Sequence, residues 1–131
     1  MPVFESLALP AQAAAGADAN VIVGTTELTD GAGIGVSRVV VTPPAGYATV
    51  TGVATNNATI NVRQLRAGAV LSTFASVTLN VGTNLVAEVP VNIPITTQVT
   101  VNPDDVIDAV LHQNGTGVAV GAGLIVTVDI S

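Results

Sequence analysis

From Asn20 to the C-terminus the chain reads as short apolar runs separated by turn residues, at the spacing of a β-sandwich or barrel. Strands are expected near 20–29, 34–42, 46–55, 57–66, 69–80, 84–91, 96–101, 105–113 and 122–130. The cleanest alternation is C-terminal. There Leu124, Val126, Val128 and Ile130 fall on one face and Ile125, Thr127 and Asp129 on the other, which predicts a strand with one buried face. In 57–66, Ile60 and Val62 point inward while Thr59, Asn61 and Arg63 point outward. Arg66-Ala67-Gly68-Ala69 then supplies a turn into Val70, Leu71 and Phe74, predicting a hairpin. Pro43-Pro44-Ala45-Gly46, Asn56-Asn57, Val81-Gly82-Thr83-Asn84 and Asn114-Gly115-Thr116-Gly117 mark further breaks. Pro90 and Pro94 straddle Val91-Asn92-Ile93, which restricts that stretch to an edge strand or a crossover between sheets.

Residues 1–19 form a separate segment, in which Pro10 and Gly16 bracket an alanine run too short for a stable isolated helix. An extended N-terminal arm is expected there, followed by one β-sandwich domain over 20–131. The segment 102–114 admits two readings. Asn102, Pro103 and the acids after them resemble a helix start, and Asn114-Gly115 a helix stop. Val106, Ile107 and Val110 favour strand, as does the surrounding pattern, and strand is preferred. No period of 20–50 residues recurs, and strands do not alternate with long helices, so solenoids and doubly wound α/β folds are set aside. The architecture expected is all-β: a two-sheet antiparallel β-sandwich of jelly-roll type.

Composition sharpens this picture. Valine, alanine and threonine fill 59 of the 131 positions, and only three aromatic residues occur, so the apolar content comes from small and β-branched side chains. Three arginines against nine acids give a formal charge of −6, without the basic footprint that phosphates require, so nucleic acid is not an expected partner. Cysteine is absent, which removes disulfides, thiolate nucleophiles and Cys-type zinc sites together. No 18-residue apolar stretch occurs, and a membrane is not expected as a partner. The start has no basic region of the secretory type and carries Glu5 instead, so an intracellular product is expected.

Little reactive chemistry is available. His112 is the only histidine, and no Gly-x-Ser-x-Gly elbow accompanies the five serines. Asp108 stands four residues before it, which would separate the two by roughly 13 Å on a strand. Glu27, Glu88, Asp104 and Asp105 could supply a pair of carboxylates for glycoside hydrolysis, but Phe4, Tyr47 and Phe74 are few faces for a sugar to stack on. Asp104, Asp105 and Asp108, with Asn102, form the densest oxygen cluster. Their spacing does not match a calcium loop, and solvated turn acids are the expectation. Gly31-Ala32-Gly33-Ile34-Gly35 continues with Val36 where a dinucleotide fingerprint needs glycine. No catalytic residue, cofactor or metal site is assigned, and the chain is not expected to be an enzyme. High apolar content with so few charges instead implies apolar surface buried against another molecule.

Three stretches carry a resemblance: Val101-Asn102-Pro103-Asp104-Asp105-Val106-Ile107, Asn114-Gly115-Thr116-Gly117 and Leu124-Ile125-Val126-Thr127-Val128-Asp129-Ile130. Over about residues 20–131 the chain resembles the decoration or cement proteins of tailed bacteriophage heads, jelly-roll sandwiches with a turn-Asp-Val-Ile strand, a glycine loop and a Val-x-Val-x-Ile strand. The Asn102-Pro103-Asp104 turn departs from the glycine-bearing turn of that pattern. The resemblance implies a virion protein on the outer capsid surface that bridges major capsid protein subunits as a homo-oligomer, with a trimer expected. The arm would reach a capsid subunit or sister chain through Val3, Phe4, Leu7 and Leu9, and its removal would leave the sandwich folded. A tail-tube or fibre component, or a carbohydrate-binding module, are the alternative readings.

Overall fold

A computed structural model describes residues 3–25 and 34–130; Glu27, the end of the expected 20–29 strand and most of the Gly31–Gly35 run lie outside the described residues. The described chain is all-β and contains nine strands: β1 Val3–Glu5, β2 Ala19–Thr25, β3 Ile34–Thr42, β4 Ala58–Arg66, β5 Ala69–Thr78, β6 Val91–Asn92, β7 Thr100–Val101, β8 Val106–Gln113 and β9 Ile125–Ile130. They form two antiparallel sheets, one in the order β1-β9-β3-β6 with β7 also paired to β3, the other in the order β2-β8-β4-β5. The sheets pack face to face as a β-sandwich.

Alternation places the core between them. Ala58, Ile60, Val62 and Gln64 of β4 and Ile107, Ala109, Leu111 and Gln113 of β8 turn inward. They face Val126, Val128 and Ile130 of β9 and Val39 and Val41 of β3. The inward set expected for β9 is buried as read, and Phe74 joins the core. The 66–69 hairpin is present. Its two central residues, Ala67 and Gly68, have φ of 53° and 80°, the left-handed pair that matches a two-residue hairpin turn to strand twist. Residues 106–113 are strand, paired on one side with β2 and on the other with β4, so the helical alternative fails against two partners for the backbone. Val91–Asn92 is an edge strand on β3.

Of the expected strands, 46–55 and 84–91 are loops apart from Val91 at the start of β6, and 96–101 is strand only at Thr100–Val101; the first two stretches are linked. They share one antiparallel bridge, Val50 with Leu85, and both residues are buried. Their apolar residues fill the end of the core while their backbones turn away. At Gly52 the two loops meet: its N–H donates to Asn84 Oδ1 at 2.8 Å, and a Cβ there would fall onto the carbonyl oxygens of Asn80 and Thr83.

The N-terminal segment also differs from expectation. Val3, Phe4 and Glu5 pair with Asp129, Val128 and Thr127. Ser6, Leu9 and Gln12 then donate backbone N–H groups to the carbonyls of Val126, Leu124 and Val120. Residues 3–12 thus lie along the sandwich as its outermost strip, because Leu9 gains a core position and the strip covers the edge of β9.

Gly52→Ala is expected to lower stability by about 3 kcal/mol, since two carbonyls of a fixed turn must move. Ala54→Ser on the exposed loop beside it should stay within about 0.5 kcal/mol. Urea unfolding of both variants checks this.

Candidate functional site

Four of the ionisable side chains named in the sequence, Arg63, Arg66, Asp105 and Asp108, are held by one another. Arg63 and Asp108 are opposite in the β4–β8 register, and the guanidinium grips the carboxylate with two bonds, Nε to Oδ1 at 2.9 Å and Nη2 to Oδ2 at 2.6 Å. This pair lies on the outer face of the sheet, where Arg63 covers an Asp108 side chain only 4% exposed. One step past the last β4–β8 pair, Leu65 with Val106, Arg66 grips Asp105 in the same way, at 2.8 and 2.9 Å. Asp105 is fully buried and accepts two further bonds, from Gln64 Nε2 and from the backbone N–H of Asn102, both at 2.8 Å.

The expectation that Asp105 and Asp108 are solvated turn acids is therefore corrected. Each is a buried acceptor, made tolerable by a two-pronged arginine partner. Arg66, with the bonds from Asn102 and Gln64, holds the Asp105 carboxyl down at about 2 against the opposing effect of burial. The signal was present in the chain. Arginines at 63 and 66 mirror aspartates at 105 and 108 with the same spacing of three, as antiparallel strands require.

A second polar assembly closes the opposite end. Gln113 Nε2 donates to Gln12 Oε1 at 2.7 Å and to the Val118 carbonyl at 2.8 Å, while its Oε1 accepts from the Val118 N–H at 2.7 Å. Gln12 Nε2 donates to the carbonyls of Ala17 and Leu111. Both amides are fully used, and among the described residues no buried side-chain nitrogen or oxygen lacks a partner. Beside them Asn114 donates to Asn57 and Thr59, and Thr59 bonds Thr78 across the sheet.

His112 does not meet Asp108. The two project from one strand, and His112 Nδ1 instead lies 2.7 Å from Asp18 Oδ1 in an exposed pair. Tyr47 is buried, its hydroxyl donating to the Gly121 carbonyl at 3.2 Å, and burial pushes the hydroxyl's pKa up. Its ring is not offered to solvent as a stacking face. Of the four arm residues, Leu9 is 1% exposed and belongs to the core, which corrects its assignment as an outward anchor. Phe4 turns inward against Gly24, with Cγ at 2.7 Å from where a Cβ would stand. Val3 and Leu7 remain on the surface, 52% and 78% exposed. Among the described residues no three His, Asp or Glu side chains gather as metal ligands would.

No known protein family, curated protein or solved structure matches the chain.

The Asp105 clasp gives a pH dependence of definite sign. Its carboxyl has a lower pKa folded than the ordinary 3.8, so its contribution is complete above that value and is lost as pH falls towards 2. Asp105→Asn should cost about 2 kcal/mol at pH 7 and flatten the stability profile between pH 2 and 4, measured by urea unfolding across that range.

Proposed function

We propose that this chain is a structural protein of a bacteriophage head, decorating the outer capsid surface and stabilising it by bridging major capsid protein subunits as a homotrimer. The observation that carries the reading is the disposition of charge. Two of the three arginines are committed to the aspartates they grip, and the only histidine to an exposed pair with Asp18, leaving outward faces built largely of Thr, Asn, Ala and Val. A surface of short side chains loses little rotamer entropy when it is covered, which suits repeated docking onto a lattice. The order of strands supports a jelly-roll form: β1, β3, β6 and β9 lie in one sheet and β2, β4, β5 and β8 in the other, so the chain wraps back and forth between the layers. The buried Tyr47 ring favours this reading over a sugar-binding one.

Bridging several shell subunits at once lets modest contacts add through high effective concentration. Val3 and Leu7, on the strip along β9, are the exposed large apolar side chains among the described residues of the N-terminal segment and the contacts assigned to the shell or to a sister chain.

Purified protein added to shells that lack it should saturate their outer surface, seen as added density by electron microscopy. Leu7→Asp should weaken that binding by roughly tenfold to a hundredfold, the worth of one buried leucine, while leaving the melting temperature unchanged. Deleting residues 1–18 does not make the same test, because it also removes Leu9, Ser6 and Gln12 from the fold. Empty shells after incubation would overturn the reading, and open filaments of the protein alone would favour a tail component.

A further inference from the structure

Just past the end of β8 the fold depends on a chemically labile peptide. Of the nine asparagines, only Asn114 precedes a glycine; the others precede Val, Leu, Ile, Ala, Asn or Pro. A glycine nitrogen, unhindered by a side chain, is free to attack the Cγ of an asparagine in front of it. The structure needs that glycine. Gly115 has φ of 65°, and a Cβ there would fall onto Asn56 Oδ1, the atom that accepts the Thr116 N–H at 3.0 Å. It uses the asparagine as well. The half-buried Asn114 donates from Nδ2 to Asn57 Oδ1 at 2.9 Å and to Thr59 Oγ1 at 2.8 Å, and its backbone N–H donates to the Asn57 carbonyl at 2.7 Å. Its carbonyl accepts the Gly117 N–H at 3.0 Å and closes the turn. Thr59 is paired with His112, two residues before Asn114, so the amide leans back along β8, away from the Gly115 nitrogen that follows it.

We propose that Asn114-Gly115 is a site of spontaneous covalent modification, deamidation through a succinimide, and that the grip of Asn57 and Thr59 on the side-chain amide is the gate that holds the reaction off in the folded protein. In that reaction the Gly115 nitrogen bonds to Asn114 Cγ and gives up its proton, the Cγ–Nδ2 bond breaks, and ammonia leaves with that proton. Solvent water then opens the ring at either carbonyl, giving aspartate or isoaspartate at 114. Attack requires Cγ to swing from Thr59 towards Gly115, so both bonds from Nδ2 must break first. The change is one-way. A carboxylate at 114 has no hydrogen for Asn57 Oδ1, and the Nδ2 of Asn57 is already used on the Val53 carbonyl at 3.0 Å. Isoaspartate also lengthens the main chain by one carbon, which moves the 114–117 turn out of register with Asn57. Either product puts a negative charge where the stretches 39–62 and 113–128 carry no Asp, Glu, Lys, Arg or His.

The chemistry belongs to the free chain and does not depend on the shell reading. Peptide mapping of the full-length protein, kept in mildly alkaline buffer, follows the mass gained at residue 114 as NH2 is replaced by OH. Conversion should be at least about tenfold slower in the native protein than in the same protein unfolded in guanidinium chloride, because unfolding removes both acceptors. Thr59→Val keeps the β-branched shape and removes one acceptor, so native Asn114 should convert severalfold faster with far-UV dichroism retained. Asn57→Ala/Thr59→Val removes both and should approach the unfolded rate; the single variant keeps the test valid if the double one misfolds. Asp105→Asn loosens the opposite end of the sandwich without touching the grip on Asn114, and should leave its rate within about twofold of wild type. Equal rates in the native and unfolded protein, no acceleration by Thr59→Val, or equal acceleration by Asp105→Asn would overturn the proposal.

Discussion

A strand buried on one face must deliver a side chain inward at every second position until it ends, and this constraint shapes the whole molecule. In β4 and β8 the inward series runs through aliphatic residues and finishes, in both strands, on glutamine: Gln64 and Gln113. Because the strands are antiparallel, the two amides lie at opposite ends of the core. A buried amide left without partners would cost roughly 1–3 kcal/mol, so each has become a clasp. Gln64 ties the Thr100 carbonyl and Asp105, and Gln113 ties Gln12 and Val118. The apolar slab supplies the driving force, and the glutamines fix which loops close its ends.

Charge is arranged under the same constraint. Asp105 sits where an acid could not stay ionised without a guanidinium and two further donors, and Asp108 needs Arg63 laid over it. With three arginines in the chain, two are committed to these tasks. Much of the remaining surface is therefore neutral, polar and short-chained. The use proposed for that surface is contact between protein faces. The functional proposal rests on this allocation of charge.

Elements whose hydrophobic period and hydrogen-bond ladder coincide were legible in the sequence. β9 alternates without interruption, β4 alternates up to its turn, and Ala67-Gly68 supplies the left-handed pair that a tight hairpin needs. Residues 46–55 and 84–91 misled because the period of apolar residues reports burial, not pairing. Val50 and Leu85 are buried as a strand's residues would be, but they share one bridge, and the close approach at Gly52 turns the backbone away on either side. For the clusters of polar residues the signal was the matched three-residue spacing of Arg63/Arg66 and Asp105/Asp108, which is long-range and not local. Asp105 and Asp108 become buried acceptors through partners about 40 residues away, and no local rule separates that outcome from a solvated turn.

The N-terminal segment shows how one periodic strip fixes the place of an inward and an outward residue together. On a regular pleat Leu7 and Leu9, two residues apart, would share a face. The strip leaves regular strand after Glu5, and its buried, hydrogen-bonded positions Ser6, Leu9 and Gln12 recur every three residues, which sends Leu9 into the core and leaves Leu7 in solvent. The inward residue fixes the strip on β9, and that fixation gives the outward one a defined position on the surface. An arm tethered only at its end would have to order many backbone dihedrals on binding, at roughly 1–2 kcal/mol each. A strip already hydrogen-bonded at Ser6, Leu9 and Gln12 has met that cost during folding. Its exposed side chains can thus contribute nearly their full apolar area to a partner.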